Sequence, residues 1–123
     1  MQALFTNLNV INKVLDATVL RKNVIDENIS NADTPGYKRK DVKFETMLLE
    51  ELSKNGYKKL DINNIEPIIY VDKANFSYRM DDNNVDIDVE MVENAKVQLR
   101  YNTLIERTAS QIERYKSILQ TIK

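Results

Sequence analysis

The first 32 residues contain neither glycine nor proline, and their apolar residues recur at spacings of three and four. This is the a/d pattern of a coiled coil, and it predicts one uninterrupted helix from about residue 3 to residue 32. At about 1.5 Å per residue, such a helix is roughly 45 Å long. It cannot bury its apolar side within a globule of 123 residues, so it needs a partner helix. The pattern comprises Leu4, Leu8, Ile11, Leu15, Thr18, Lys22, Ile25, Ile29 and Ala32, and it is apolar except at Thr18 and Lys22.

The same spacing returns at the other end of the chain, where it predicts a second long helix from Asp86 to about Thr121. Asp86 suits the N-cap, and Asp88 and Glu90 would lie at the positive end of the helix dipole. The residues at this spacing are Gln98, Tyr101, Ile105, Thr108, Ile112, Tyr115, Leu119 and Ile122, and Val92, Ala95 and Leu99 extend the stripe earlier.

Two long helices at the chain ends predict a mainly α protein built as an antiparallel coiled-coil hairpin. Residues 1–34 and 84–123 would form one inner domain, and residues 35–83 a middle segment. We expect the apolar residues of both helices to mediate assembly. These residues are Leu8, Ile11, Leu15, Ile25 and Ile29 in the first helix and Leu99, Ile105, Ile112 and Leu119 in the second.

The first helix is predicted to end in a turn of Asn28, Asn31, Thr34, Pro35, Gly36 and Tyr37. Pro35-Gly36 indicates a type II turn, in which glycine supplies the positive φ. The following Lys38-Arg39-Lys40 is either a solvated turn or a patch for an anionic partner. Asp41 is then a plausible N-cap for a short helix from about residue 42 to residue 54, which Asn55-Gly56 ends.

The rest of the middle segment has strand character in two runs, Ile68–Val71 and Phe76–Met80. A small hairpin joining them is possible, although one hairpin alone would be marginally stable in water. The fold of residues 57–82 is the least determined part of the sequence.

Composition argues against enzyme chemistry. The chain has no cysteine and no histidine, so a thiolate zinc site and the commonest general base are absent. The net charge of −1 gives no electrostatic footprint for nucleic acid. Oxygen ligands at EF-hand spacing run from Asp82 to Glu93, but Ile87 stands where that loop needs glycine. We therefore expect no metal, no cofactor, no catalytic residues, no transmembrane helix and no cleavable signal peptide.

Two motifs resemble one protein family. The stretch from Asn28 to Lys38 resembles the N-terminal signature of bacterial flagellar axial proteins of the rod and hook, and Arg21, Asp41-Val42 and Phe44 fit the same pattern. Residues 83–91 and 101–104 resemble the C-terminal signature of the proximal rod members. Two positions depart from the pattern, because Ser30 replaces the usual alanine and Asp82 stands where glycine is common before the asparagine.

The resemblance implies a structural subunit of the flagellar basal-body rod, exported unfolded by the flagellar type III apparatus to a rod that spans the periplasm. Its partners would be copies of itself, other rod proteins, and the export-gate and adaptor subunits at the rod base. Isolated monomers of such proteins tend to have disordered ends. The alternative is a soluble coiled-coil adaptor or chaperone that binds a partner helix, which would form a folded, discrete oligomer.

Overall fold

Three helices and one pair of strands make up the computed structural model, which describes residues 2–73 and 80–122, with side chains described from residue 7 onward. The elements are α1 (Gln2–Ser30), β1 (Lys40–Lys43), α2 (Glu45–Asn55), two 3-10 turns (Tyr57–Lys59 and Ile62–Asn64), β2 (Ile68–Val71) and α3 (Ile87–Thr121). The prediction of a mainly helical chain with long helices at both ends is confirmed. Within the described ranges, no helix is both long and apolar enough to cross a membrane.

The start of α3 follows the capping chemistry expected from the sequence. The Asp86 carboxylate accepts hydrogen bonds from the backbone N–H groups of Asp88 (3.0 Å) and Val89 (3.3 Å). Two donors that lack a partner inside the helix are thereby satisfied. The predicted N-cap is confirmed, and it fixes where the chain enters the helix.

The predicted start of the short helix is wrong. α2 begins at Glu45, and residues 40–43 form β1 instead. Asp41 lies in that strand, where its Oδ1 accepts a hydrogen bond from the N–H of Val42 (2.8 Å). The backbone groups of this stretch pair with β2, which lies 28 residues further along the chain, and local propensity does not reveal such a partner.

β1 and β2 form a two-stranded antiparallel sheet, with Lys40 opposite Val71 and Lys43 opposite Ile68. The strand predicted at Ile68–Val71 is therefore confirmed. Most of its suggested hairpin partner, Phe76–Met80, lies outside the described residues. The pairing with β1 places the middle segment beside the end of α1.

α1 packs in two directions. Toward the middle segment, Ala17 lies in a buried cluster with Phe44, Ile62 and Ile65. Toward α3, Arg21 bonds to Glu93, whereas Asn28, further along α1, bonds to Glu90, nearer the start of α3, so the helices are antiparallel. The buried side of α1 therefore contacts two neighbours, and it is wider than a strict coiled-coil seam because Ala17 and Val24 are buried beside Thr18 and Ile25.

Gly36, in the connection after α1, and Asp82, before the start of α3, both have positive φ. Gly36 has φ +73°, as the turn prediction required, and its N–H donates to the carbonyl oxygen of Asp81 (2.7 Å). The adjoining Asp82 has φ +62°. The position at which the resembled family commonly has glycine is thus a left-handed position, and here aspartate occupies it.

Substituting glycine at residue 82 is expected to stabilise the fold. A residue with a Cβ costs about 1–2 kcal/mol at this φ, and the greater entropy that glycine loses on folding offsets part of the gain. The net increase in unfolding free energy for Asp82→Gly should be about 0.5 kcal/mol, measured by urea unfolding followed by circular dichroism. Asp82→Ala keeps the Cβ and serves as the control. A glycine variant less stable than the alanine variant would contradict the backbone argument.

Candidate functional site

The end of α1 is anchored by the side chain of Asn28, which is 0% exposed. Its amide oxygen accepts hydrogen bonds from the N–H of Lys40 (2.9 Å) and the hydroxyl of Tyr37 (3.0 Å). Its amide nitrogen donates to the carbonyl oxygen of Lys40 (2.8 Å) and to Oε2 of Glu90 (3.3 Å). One side chain thus joins α1 to the first residue of β1 and to α3, and all four of its interactions lie within the chain.

Asn31 acts differently, because it bonds its own turn. Its Nδ2 donates to the carbonyl oxygen of Glu27 (2.8 Å), and its Oδ1 accepts from the hydroxyl of Thr34 (3.1 Å). The turn is then tied to the start of α3 by Asn83. The Nδ2 of this buried residue donates to the carbonyl oxygens of Asn31 (2.9 Å) and Thr34 (2.8 Å). The two sequence motifs therefore meet at this turn.

A buried ion pair lies beside Asn28. Glu90, in the first turns of α3, is 1% exposed, and its Oε1 accepts from Nε of Arg39 (2.6 Å). Arg39 also donates through Nη1 to Oδ2 of Asp72 (2.7 Å). Burial lowers the pKa of the Arg39 guanidinium, but its hydrogen bonds to Glu90 and Asp72 outweigh burial and hold that pKa above its usual value. Arg39 thus links the connection after α1, the residue after β2, and α3.

Further bonds complete the arrangement. Oδ1 of Asn84 accepts from the N–H of Arg39 (2.6 Å), and its Nδ2 donates to the carbonyl oxygen of Asp72 (2.9 Å). Burial and the nearby Glu27 carboxylate raise the pKa of the Tyr37 phenol, whose hydroxyl donates to Oδ1 of Asn28. We call this group the motif junction. It comprises Asn28, Tyr37, Arg39, Asn83, Asn84 and Glu90.

The chemistry of the motif junction is that of a structural joint. The side-chain amide of asparagine contains both a hydrogen-bond donor and an acceptor. It can therefore bond to backbone N–H and C=O groups that lack a backbone partner where the chain leaves one element and enters the next. The carboxylates of Glu90 and Asp72 are matched by one guanidinium. Over the ranges that the structure describes, no three carboxylates lie together as a metal-binding group. Ile87, at the failed EF-hand position, is the first residue of α3.

The structure places the predicted assembly residues in different environments. Ile25 is buried at 1% exposure, and Leu8, Ile11, Leu15 and Ile29 are half-buried. On α3 the contact with α1 involves Val97, which is buried, while Tyr101 is half-buried. The predicted α3 residues are exposed in the single chain: Leu99 by 68%, Ile105 by 43%, Ile112 by 41% and Leu119 by 71%.

Arg39 and Glu90 are the residues whose role the sequence did not reveal. Arg39 is neither in a solvated turn nor free for an anionic partner, because its side chain is only 18% exposed and its ion pairs are internal. Glu90 is more than a carboxylate near a helix N-terminus, since it pairs with a residue 51 positions earlier. The sequence signal for this site was the set of asparagines at the end of α1 and before α3. Asparagines at helix boundaries predict hydrogen bonds from side chain to backbone, but they do not show which residue is the partner.

Comparison with known proteins gives a consistent group of relatives. The chain is similar to the flagellar basal body rod protein FlgB of Bacillus subtilis, with 34% identity over 115 residues covering 89% of each chain. The FlgB proteins of Borrelia hermsii (32% identity, 95% of this chain and 96% of the relative) and Aquifex aeolicus (33%, 84% of each) are also similar. No family model matches the chain.

Proposed function

The chain belongs to the FlgB family of flagellar basal body rod proteins, and we propose that it assembles into the proximal part of the rod through its two long helices. It is a structural component of the basal body and not an enzyme, and a rod protein assembles with other rod proteins. Family membership therefore favours the rod subunit over an adaptor or chaperone that binds a partner helix.

The inner domain of the assembled subunit would be the antiparallel hairpin of residues 1–34 and 84–123, and residues 35–83 would form the outer part. The inner hairpin is supported by the antiparallel contacts between α1 and α3 and by the burial of Ile25 and Val97. The assignment of residues 35–83 to the outer part is supported by the motif junction, which holds β1 and β2 against the end of α1. The motif turn, Asn28 to Tyr37, would fix the angle between these parts.

The observation that carries the proposal is the exposed apolar side of α3. Ile105, Ile112 and Leu119 are spaced seven residues apart, and each is more than 40% exposed. Residues at this spacing form a straight row on a helix, which suits packing against another helix. A structural subunit that leaves such a row uncovered has a surface for its neighbours in the rod.

The setting of the assembly follows from the same family resemblance. We propose that the subunit leaves the cytoplasm through the flagellar type III export apparatus, without a cleavable signal peptide. It would then join a rod that spans the periplasm, and the export-gate and adaptor subunits at the rod base would be its neighbours there. Detection of the unprocessed chain in isolated basal bodies, by mass spectrometry of the N-terminal peptide, would test the route.

Ile112→Asp is expected to block assembly while leaving the subunit folded. Ile112 is 41% exposed, so the change should alter the unfolding free energy by at most about 0.5 kcal/mol. In the rod, however, the carboxylate would be buried against a neighbouring helix without a partner. The measurement is swimming of a strain in which the variant replaces the native gene. Lys58→Asp, at an exposed position in the middle segment, is the control. Normal swimming with Ile112→Asp would contradict assembly through this row.

A further inference from the structure

We infer that the Asn55-Gly56 bond at the end of α2 is a site of spontaneous deamidation, and that the last turn of α2 controls the rate of this reaction. Of the asparagines in the sequence, only Asn55 is followed by glycine. Both residues are exposed, and Asn55 is the last residue of α2. The reaction needs no partner protein, so the site does not depend on the proposed function.

Deamidation at this bond starts on the backbone nitrogen of Gly56. This nitrogen attacks the side-chain carbonyl carbon, Cγ, of Asn55, and a new C–N bond closes a succinimide ring. The bond from Cγ to Nδ2 breaks, and Nδ2 leaves as ammonia with the proton that the Gly56 nitrogen gives up. Water then opens the ring at either carbonyl group, which yields aspartate or isoaspartate. Glycine favours ring closure, because it has no Cβ to obstruct the close approach of its backbone.

Two hydrogen bonds in the last turn of α2 oppose the attack. The N–H of Gly56 donates to the carbonyl oxygen of Leu52 (2.9 Å), so the attacking nitrogen keeps its proton while this bond holds. Nδ2 of Asn55 donates to Oε1 of Glu51, one turn back along the helix. The amide is thereby held along α2 and is not free to turn toward Gly56. Ring closure therefore requires the last turn to open.

The last turn of α2 is placed to open often. Residues 53–56 are all exposed, and Gly56 caps the helix with φ +68°. Helix ends with solvent-exposed backbone hydrogen bonds open at a small cost in free energy, well below the cost of unfolding the whole domain. The reaction should therefore proceed in the folded protein, but more slowly than in the unfolded chain, where both bonds are absent.

The products would destabilise the turn that protects the site. A carboxylate at residue 55 would lie four residues from Glu51, where like charges repel, and at the negative end of the helix dipole. Isoaspartate also adds a methylene group to the backbone, which displaces the N–H of the next residue. Met47 and Leu48, which pack against the buried cluster, lie in the earlier turns of α2. Deamidation should therefore unwind the end of α2 and leave the core intact.

The test compares two substitutions at Ser53, which lies within the turn closed by the Gly56 hydrogen bond. Ser53→Ala and Ser53→Gly both remove the hydroxyl that donates to the carbonyl oxygen of Glu50 (2.9 Å), so the two variants differ in helix propensity. The native chain and both variants, at full length, are incubated at one mildly alkaline pH, in buffer and in urea that unfolds the chain. Peptide mass mapping follows conversion at each asparagine as the mass gained when NH is replaced by oxygen. Circular dichroism confirms that both variants are folded in buffer.

We expect conversion at Asn55 before any other asparagine, with aspartate and isoaspartate as products, and a faster reaction in urea than in buffer. In buffer, the Ser53→Gly variant should react up to about fivefold faster than the Ser53→Ala variant, because glycine opens the turn more easily. In urea, the two variants should react at the same rate. Faster conversion at another asparagine, or none at Asn55, would overturn the site. Equal rates of the variants in buffer, the same ratio between them in urea, or equal rates of the native chain in buffer and urea would overturn control by α2.

Discussion

Asn28→Asp is expected to cost the fold roughly 3–5 kcal/mol, because it creates an unmatched charge in a fully buried position. The new oxygen would replace Nδ2, which lies 3.3 Å from Oε2 of Glu90 and 2.8 Å from the carbonyl oxygen of Lys40. Two hydrogen bonds would become repulsive contacts, although the shape of the side chain is almost unchanged. Loss of this much free energy is a large part of the roughly 5–15 kcal/mol that stabilises a typical domain.

Urea unfolding of the purified variant measures this effect, with Asn31→Asp as the matched control. Asn31→Asp is the same chemical change on a half-buried turn, where Nδ2 donates to the carbonyl oxygen of Glu27, so the cost should be about 1 kcal/mol. An Asn28→Asp variant no less stable than the Asn31→Asp variant would contradict the role assigned to the motif junction.

The pH dependence of the Asn28→Asp variant gives an independent check. Burial and the Glu90 carboxylate should raise the folded-state pKa of the introduced carboxyl above its unfolded value of about 3.9. The folded state then binds the proton more tightly, so the penalty is present at neutral pH and disappears as pH falls below the unfolded pKa. The stability difference from the native chain should therefore shrink in acid. A difference that stays constant with pH would mean that lost packing, rather than charge, causes the effect.

Ile25→Asp is expected to prevent the subunit from folding. Ile25 is 1% exposed and lies one turn from both Arg21 and Asn28, which bond to α3, so a carboxylate there would be buried. The change removes a large apolar side chain and adds an uncompensated charge, which together should cost about 4–5 kcal/mol or more. Soluble yield and helical content by circular dichroism measure the outcome, with Ile25→Val as the control that should cost only about 1 kcal/mol.

Ile25→Asp and Ile112→Asp should act through different mechanisms, although both residues were predicted to mediate assembly through the apolar sides of the two long helices. The first should lose folded structure, and the second should keep it and lose assembly, because their exposures are 1% and 41%. A well-folded Ile25→Asp subunit would mean that α1 and α3 are not held together by their apolar contact in solution.

Local chemistry in the sequence was enough for several parts of the fold. The spacing of apolar residues and the absence of glycine and proline gave both long helices, Asp86 gave the start of α3, and Pro35-Gly36 gave a turn with positive φ. Each of these depends on residues within one or two helical turns of each other. The same kind of reasoning failed at Asp41, where a local capping rule competed with a strand pairing to residues 68–71.

The candidate site was predictable only in its outline. The motifs singled out Asn28 and Asn31, but these two asparagines have opposite roles: Asn28 joins α1 to β1 and α3, and Asn31 bonds its own turn. The local sequence predicts bonds to nearby backbone groups for both, because each is an asparagine near the end of the same helix. The distinction arises from which side of α1 faces Lys40 and Glu90 once the chain has folded.

The sequence by itself determined the long helices, the turn within the first motif and the family, because periodicity, capping and motif residues act over short distances along the chain. Only the tertiary structure decided that Arg39 pairs with Glu90 and Asp72, that α1 shares its apolar side between α3 and the middle segment, and that the apolar row of α3 stays exposed. The physical reason is that burial and charge pairing depend on distances between residues far apart in the sequence, 33 positions for Arg39 and Asp72 and 51 for Arg39 and Glu90, which the fold sets and local spacing does not encode.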